Sequence, residues 1–227
     1  MPWLDKVKAA PQTWYPGQEA GNAIVDVLLG TINPSGRLPV TFPRRIEDTP
    51  AFGNFPGDTE RLQVYYKEDS FVGYRHYDHY PDSILFPFGL GLSYTTFDVS
   101  NAKFSWGHSG ESFPVPGNFH ASVDITNTGR ILGSEVLQVY ITPPVDPSGR
   151  KTQRKMVGFT KIALEPGNAG VASITFTSDS FAEFDEVKED WLIVKGEYAV
   201  EVATSASKHD VKASSMFSIS EDYHFDA

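Results

Sequence analysis

One short stretch concentrates the side chains of this sequence that could do chemistry: Glu68, Tyr74, Arg75, His76, Tyr77, Asp78, His79 and Tyr80. Histidine serves as a general base near neutral pH, a carboxylate orients it, and aromatic neighbours wall a small polar pocket. His76 or His79 would take the base role with Asp78 orienting it, and Glu68 offers a further acid. Tyr74, Arg75, Tyr77 and His79 are the neighbouring candidates for binding a small molecule or glycoside. Simple alternation puts Tyr74, His76 and Asp78 on one face and Arg75, Tyr77 and His79 on the other. The plainer reading pairs Arg75 with an acid and uses the aromatics to pack the segment onto a neighbouring domain. His76, Asp78 and His79 have metal-ligand types, but their i, i+2, i+3 spacing matches no recognised ligand pattern. No metal and no other cofactor is expected.

Aromatic faces also stack on the C–H face of a sugar ring. Trp14, Trp106 (with His108 beside it) and Trp191 are the candidates, although tryptophan more often covers the ends of a core. No Gly-x-Ser-x-Gly turn strains a nucleophilic serine, and no Gly-rich loop cradles a phosphate. The chain has no cysteine, which removes thiol chemistry. Its net charge is -10, with no long run of one sign, and this argues against a nucleic-acid partner. The densest basic group, Arg150, Lys151, Arg154 and Lys155, reads as a solvated loop and strand end. Met1-Pro2-Trp3-Leu4-Asp5-Lys6 does not have the pattern of a signal peptide, and no apolar run is long enough to span a bilayer. A soluble chain of unassigned compartment, without a membrane partner, is expected.

Three textures position these residues. Residues 1–43 are mixed: a strand over 7–15, then a helix in which Ala20, Ala23, Ile24, Val27 and Leu28 share one apolar face. Glu19 lies in its first turn and Gly30 ends it, and Leu38, Val40 and Phe42 alternate as a short strand. Such a set cannot bury both faces of a sheet, so it reads as the end of a larger α/β domain. Residues 44–94 form a long connection rich in Pro, Gly and aromatics, and a segment of that length packs on something or serves a function. Residues 95–227 hold strand candidates at 96–106, 119–127, 134–142, 155–164, 170–177, 192–204 and 211–219. Turn signals at Asn127-Thr128-Gly129, Pro143-Pro144, Glu165-Pro166-Gly167-Asn168 and Lys195-Gly196 separate them. Seven short strands without helices predict a mainly β chain, an antiparallel sandwich of the fibronectin type III kind.

In order along the chain, Trp14-Tyr15-Pro16-Gly17-Gln18-Glu19-Ala20-Gly21-Asn22-Ala23 and Asn33-Pro34-Ser35-Gly36-Arg37-Leu38-Pro39-Val40-Thr41-Phe42-Pro43 resemble the late segment of glycoside hydrolase family 3 enzymes, the β-glucosidases. Tyr66-Lys67-Glu68, Phe71-Val72-Gly73-Tyr74-Arg75-His76-Tyr77-Asp78 and Phe86-Pro87-Phe88-Gly89-Leu90-Gly91-Leu92-Ser93-Tyr94 continue the likeness. Gly133-Ser134-Glu135-Val136 and Val157-Gly158-Phe159-Thr160-Lys161 are similar to the fibronectin type III-like domain that closes many of these enzymes. The resemblance implies a three-part parent: a barrel, an α/β sandwich and the closing β-sandwich. It also places the family's nucleophilic Asp in the barrel and its acid/base Glu upstream of Trp14. Retaining hydrolysis needs both carboxylates about 5–5.5 Å apart. The expectation is therefore a C-terminal portion that is structural in the parent and inactive alone as a glycosidase.

Pro11 departs from the family's apolar β-former and predicts a frayed, rerouted or edge strand before Trp14. One alternative is a stand-alone homologue with a different small-molecule activity in the 68–80 region. The other is a sugar-binding module using Trp106 or Trp191. An apolar helix face without its upstream domain also predicts a homodimer through Ile24, Val27 and Leu28.

Overall fold

The computed structural model describes residue 1 and residues 3–106, 116–145 and 153–226. Helix α1 (Ala20–Leu28), strand β1 (Phe42–Pro43), a one-turn helix α2 (Tyr74–Tyr77) and strand β2 (Ile84–Phe86) come first. The sandwich strands follow as β3 (Phe97–Trp106), β4 (Asn118–Asn127), β5 (Gly133–Thr142), β6 (Lys155–Leu164) and β7 (Ala169–Thr177). After them come β8 (Glu183–Asp185), β9 (Asp190–Ile193), β10 (Gly196–Ala203), β11 (Val211–Ile219) and β12 (Tyr223–Phe225).

Two antiparallel sheets, ordered β11-β10-β5-β6 and β3-β4-β7, pack face to face, and a small sheet β12-β9-β8 lies against the same core. This is the predicted sandwich. Alternation does the work: Phe119, Ala121, Val123 and Ile125 of β4 point inward between exposed or half-buried neighbours. Register aligns like with like, since Phe119 pairs with Phe176, and Val200 with Ile141. Phe119 stacks on Phe176 with centroids 5.0 Å apart and tilts against Phe217 at 4.6 Å and Trp106 at 5.1 Å. The buried Tyr198 hydroxyl donates to the Val194 carbonyl at 2.7 Å, so this ring enters the core without an orphaned polar atom.

Several expectations change. Residues 7–15 form no strand, and all nine side chains are exposed. Pro11 supplies no amide for a ladder, and among the described residues no strand pairs with this stretch. The stretch 192–204 is two strands, β9 and β10, broken at Gly196, whose φ of +138° suits glycine and whose missing Cβ leaves room for Pro144. Of the strand expected near Leu38, the ladder takes in Phe42 and Pro43, paired with β2. Leu38 instead exchanges backbone bonds with the 89–90 turn. Among the described residues, no helix is long and apolar enough to cross a membrane.

That turn is tightly specified. Gly89 has φ +81°, its amide donates to the Leu38 carbonyl at 2.7 Å, and a Cβ there would run into the buried Gln138 amide. Gly89→Ala is expected to lose about 1–3 kcal/mol, through positive-φ strain and overpacking together, measured by urea unfolding.

Candidate functional site

Gly73, at φ +57°, sits between the turns of 66–72 and the next residues, which coil into α2 instead of alternating. A helical turn groups residues by i, i+3 and i+4, so Tyr74, Tyr77 and Asp78 share the face that meets the sandwich. Tyr74 packs on Phe88 and edge-on against Tyr140, and its hydroxyl accepts from the Met156 amide at 2.8 Å. Tyr77 is buried. Arg75 meets the Gln153 amide oxygen at 3.2 Å, where an acid was expected.

Asp78 faces Arg154, and here the sequence reading is corrected. Arg154 is not part of a solvated basic cluster, for it is only 4% exposed. Its Nη2 lies 3.2 Å from Asp78 Oδ1 and also donates to the Ala206 carbonyl, while its Nη1 lies 3.0 Å from Glu201 Oε2. The guanidinium sits 4.3 Å over the Tyr140 ring, and Lys208 caps Glu201 from the solvent side at 3.0 Å. Burial pushes the Asp78 carboxyl above its ordinary range, although Arg154 and Lys208 oppose the shift. Burial acts in the same direction on Glu201, but hydrogen bonds and charges from Lys208 and Arg154 outweigh it and hold Glu201 below its range. Arg150 and Lys151 lie outside the described residues.

The proposed acid/base residues are therefore divided. Glu68 and His76 line one surface depression of about 320 Å³, whereas Asp78 is turned to Arg154 on the sandwich side. His76 rests against Tyr80 with centroids 4.8 Å apart, and burial lowers its pKa. His79 meets Phe71 edge-on at 5.1 Å. Trp14 is half-exposed at φ +50°, edge-on to Phe42 at 6.2 Å. Trp106 and Trp191 pack against the sandwich core, and His108 lies outside the described residues. The described groups of metal-ligand type that do converge are Asp185, Asp190 and His224. Lys188 Nζ lies 2.9 Å from His224 Nε2 and already supplies positive charge there.

A second junction, unmarked by any one residue type, ties the N-terminal part to the sandwich. Asn33 donates to the Leu132 carbonyl at 3.0 Å and accepts from the Ser93 hydroxyl and the Tyr94 amide at 3.0 and 2.8 Å. The Tyr94 hydroxyl reaches the Val27 carbonyl of α1 at 2.8 Å, and Arg37 pairs with Glu135. Beside it, the fully buried Asn127 donates to the Ile131 and Leu164 carbonyls, both at 2.8 Å. It accepts from the Thr95 hydroxyl at 2.7 Å and the Gly129 amide at 3.1 Å. The signal available in sequence was the clustering of Asn, Gly and Ser at turns, which marks position but not partner.

Residues 1–94 match the glycosyl hydrolase family 3 C-terminal domain, and residues 135–206 match the fibronectin type III-like domain. Beta-glucosidase B of Emericella nidulans is 47% identical over 219 residues, which is 90% of this chain and 24% of that protein. The β-glucosidase structure from Kluyveromyces marxianus aligns with a TM-score of 0.87 at 36% identity, over 99% of this chain and 26% of that one. Beta-glucosidase 3B from Thermotoga neapolitana, solved with α-D-glucose, gives 0.86 at 37% identity, over 100% and 30%. The chain spans about a quarter of the length of the curated relatives it matches.

Proposed function

Because the chain corresponds to the C-terminal part of glycoside hydrolase family 3 enzymes, whose relatives here are β-glucosidases, we propose that it is the bracing portion of such an enzyme and does not itself hydrolyse glycosides. The observation that carries this reading is an asymmetry of burial. The sandwich encloses its inner faces, but α1 buries none of its residues. Tyr15 is 99% and Leu29 77% exposed, and Val25, Leu28 and Ile32 are exposed as well. An amphipathic helix gains most of its stability by covering its apolar face. In the whole enzyme, the part that precedes the matched region covers it, and the sandwich braces α1 and the 74–88 segment from the other side through the Asn33, Arg37 and Arg154 contacts. In the isolated chain, a second copy takes its place.

Two measurements test this. The purified chain should give no turnover of an aryl β-glucoside, and turnover abolished by a substitution within the 227 residues would refute the reading. In sedimentation velocity the chain should run as a dimer, and a Leu28→Glu/Leu29→Glu variant as a monomer. A clean monomer at high concentration would remove the docking role of α1.

A further inference from the structure

We propose that the depression beside α2 is a binding site for a single neutral sugar ring. It is lined by Pro50, Asn54, Lys67, Glu68, Phe71, His76, His79 and Tyr80. At about 320 Å³, it lies at the lower end of small-molecule sites, which suits one pyranose and not an oligosaccharide.

Its charge argues for a neutral ligand. Lys67 and Glu68 cancel, and burial keeps His76 on the neutral side, so neither an anion nor a cation is favoured overall. Its polar groups have unused capacity. Asn54 Nδ2 donates to Glu68 Oε2 at 3.2 Å, leaving Oε1 without a hydrogen-bond partner among the described residues. Lys67 forms no ion pair among them either. A carboxylate oxygen that only accepts, beside an ammonium that only donates, complements hydroxyl groups that do both.

The apolar wall is also in place. Phe71 is held by His79, and Tyr80, 55% exposed, is held by His76. Such rings complement the C–H face of a pyranose. The chain next to Phe71 and His76 is tied to the sandwich as well, because Gln153 donates to Ser70 Oγ and accepts from Arg75. A site fixed in advance loses less ordering entropy on binding.

The site stands independently of the bracing role, and its test reads binding, not hydrolysis. Glucose and methyl β-D-glucopyranoside would be titrated into the full chain and followed by protein-observed NMR. A ligand of this size on an open site binds in the millimolar range. The expected result is saturable shifts centred on His76, His79 and Tyr80. Glu68→Gln and Tyr80→Ala should each weaken binding about tenfold while leaving the melting temperature unchanged. Asn54→Ala, which frees Glu68 without deleting it, should weaken binding less than Glu68→Gln. Absence of saturation, or affinity unchanged in both Glu68→Gln and Tyr80→Ala, would overturn the proposal. So would inorganic phosphate displacing glucose, since that identifies an anion site at Lys67.

Discussion

Arg154→Ala is expected to destabilise the chain by about 3–5 kcal/mol, the usual result of removing one partner from a buried ion pair. For a chain of this size the melting temperature should fall by roughly 6–20 °C. The loss has three sources: Asp78 and Glu201 stay behind without their counter-ion, the Ala206 carbonyl loses its donor, and the Tyr140 ring loses its cation. Tyr74 and Phe88 pack beside Tyr140, so the 74–88 segment should detach with it and expose the Tyr74 and Tyr140 rings together. Arg154→Lys should rescue little, because one ammonium cannot replace a fork that reaches three acceptors.

The two carboxylates on Arg154 should respond oppositely to pH. Asp78 is shifted upward, so its contribution to stability is full at low pH and declines as pH rises through its folded-state value. Glu201 is shifted downward, so its contribution is full above the ordinary glutamate range and is lost as pH falls through its folded-state value. Asp78→Asn should therefore match or exceed the parent chain at neutral pH and lose that advantage in acid. Glu201→Gln should be less stable at neutral pH and converge with the parent in acid. Urea unfolding across the acid range reads both, and two parallel profiles would contradict this division of roles.

Asn127→Ala should be the other severe substitution. All four hydrogen-bonding positions of this fully buried amide are used. Its removal leaves two carbonyls, a hydroxyl and the Gly129 amide unsatisfied at about 1–3 kcal/mol each, so a loss of at least about 4 kcal/mol is expected. Asn127→Asp should do no better, since it replaces the donor that serves Ile131 and Leu164 with a second acceptor. Hydrogen exchange at Gly129 and Thr128 would localise the damage to this turn.

Sequence by itself determined the sandwich, because strand alternation is a local property. Phe119, Val123 and Ile125 face inward wherever their neighbours are polar, and turn residues mark where each strand stops. The helical period of α1 was legible for the same reason, as periodicity depends on near neighbours alone, but Ile24 and Val27 of the expected face are half-buried, whereas Val25 and Leu29 outside it are exposed with Leu28. Tertiary structure decided what those elements do for one another. Arg154 looks like any surface arginine in a basic run, and only contacts with residues 78, 201 and 206 reveal it as buried. Alternation over 74–80 would have kept Tyr74, His76 and Asp78 together, but so few residues carry little period, and Gly73 with the Tyr140 surface selects a helical turn instead. That choice separates Asp78 from His76, sending one carboxylate to the sandwich and leaving Glu68 and His76 around an open depression. Local pattern sets which way a side chain points, but the charge it meets comes from residues distant in sequence, and that meeting determines whether a polar cluster braces the fold or faces a ligand.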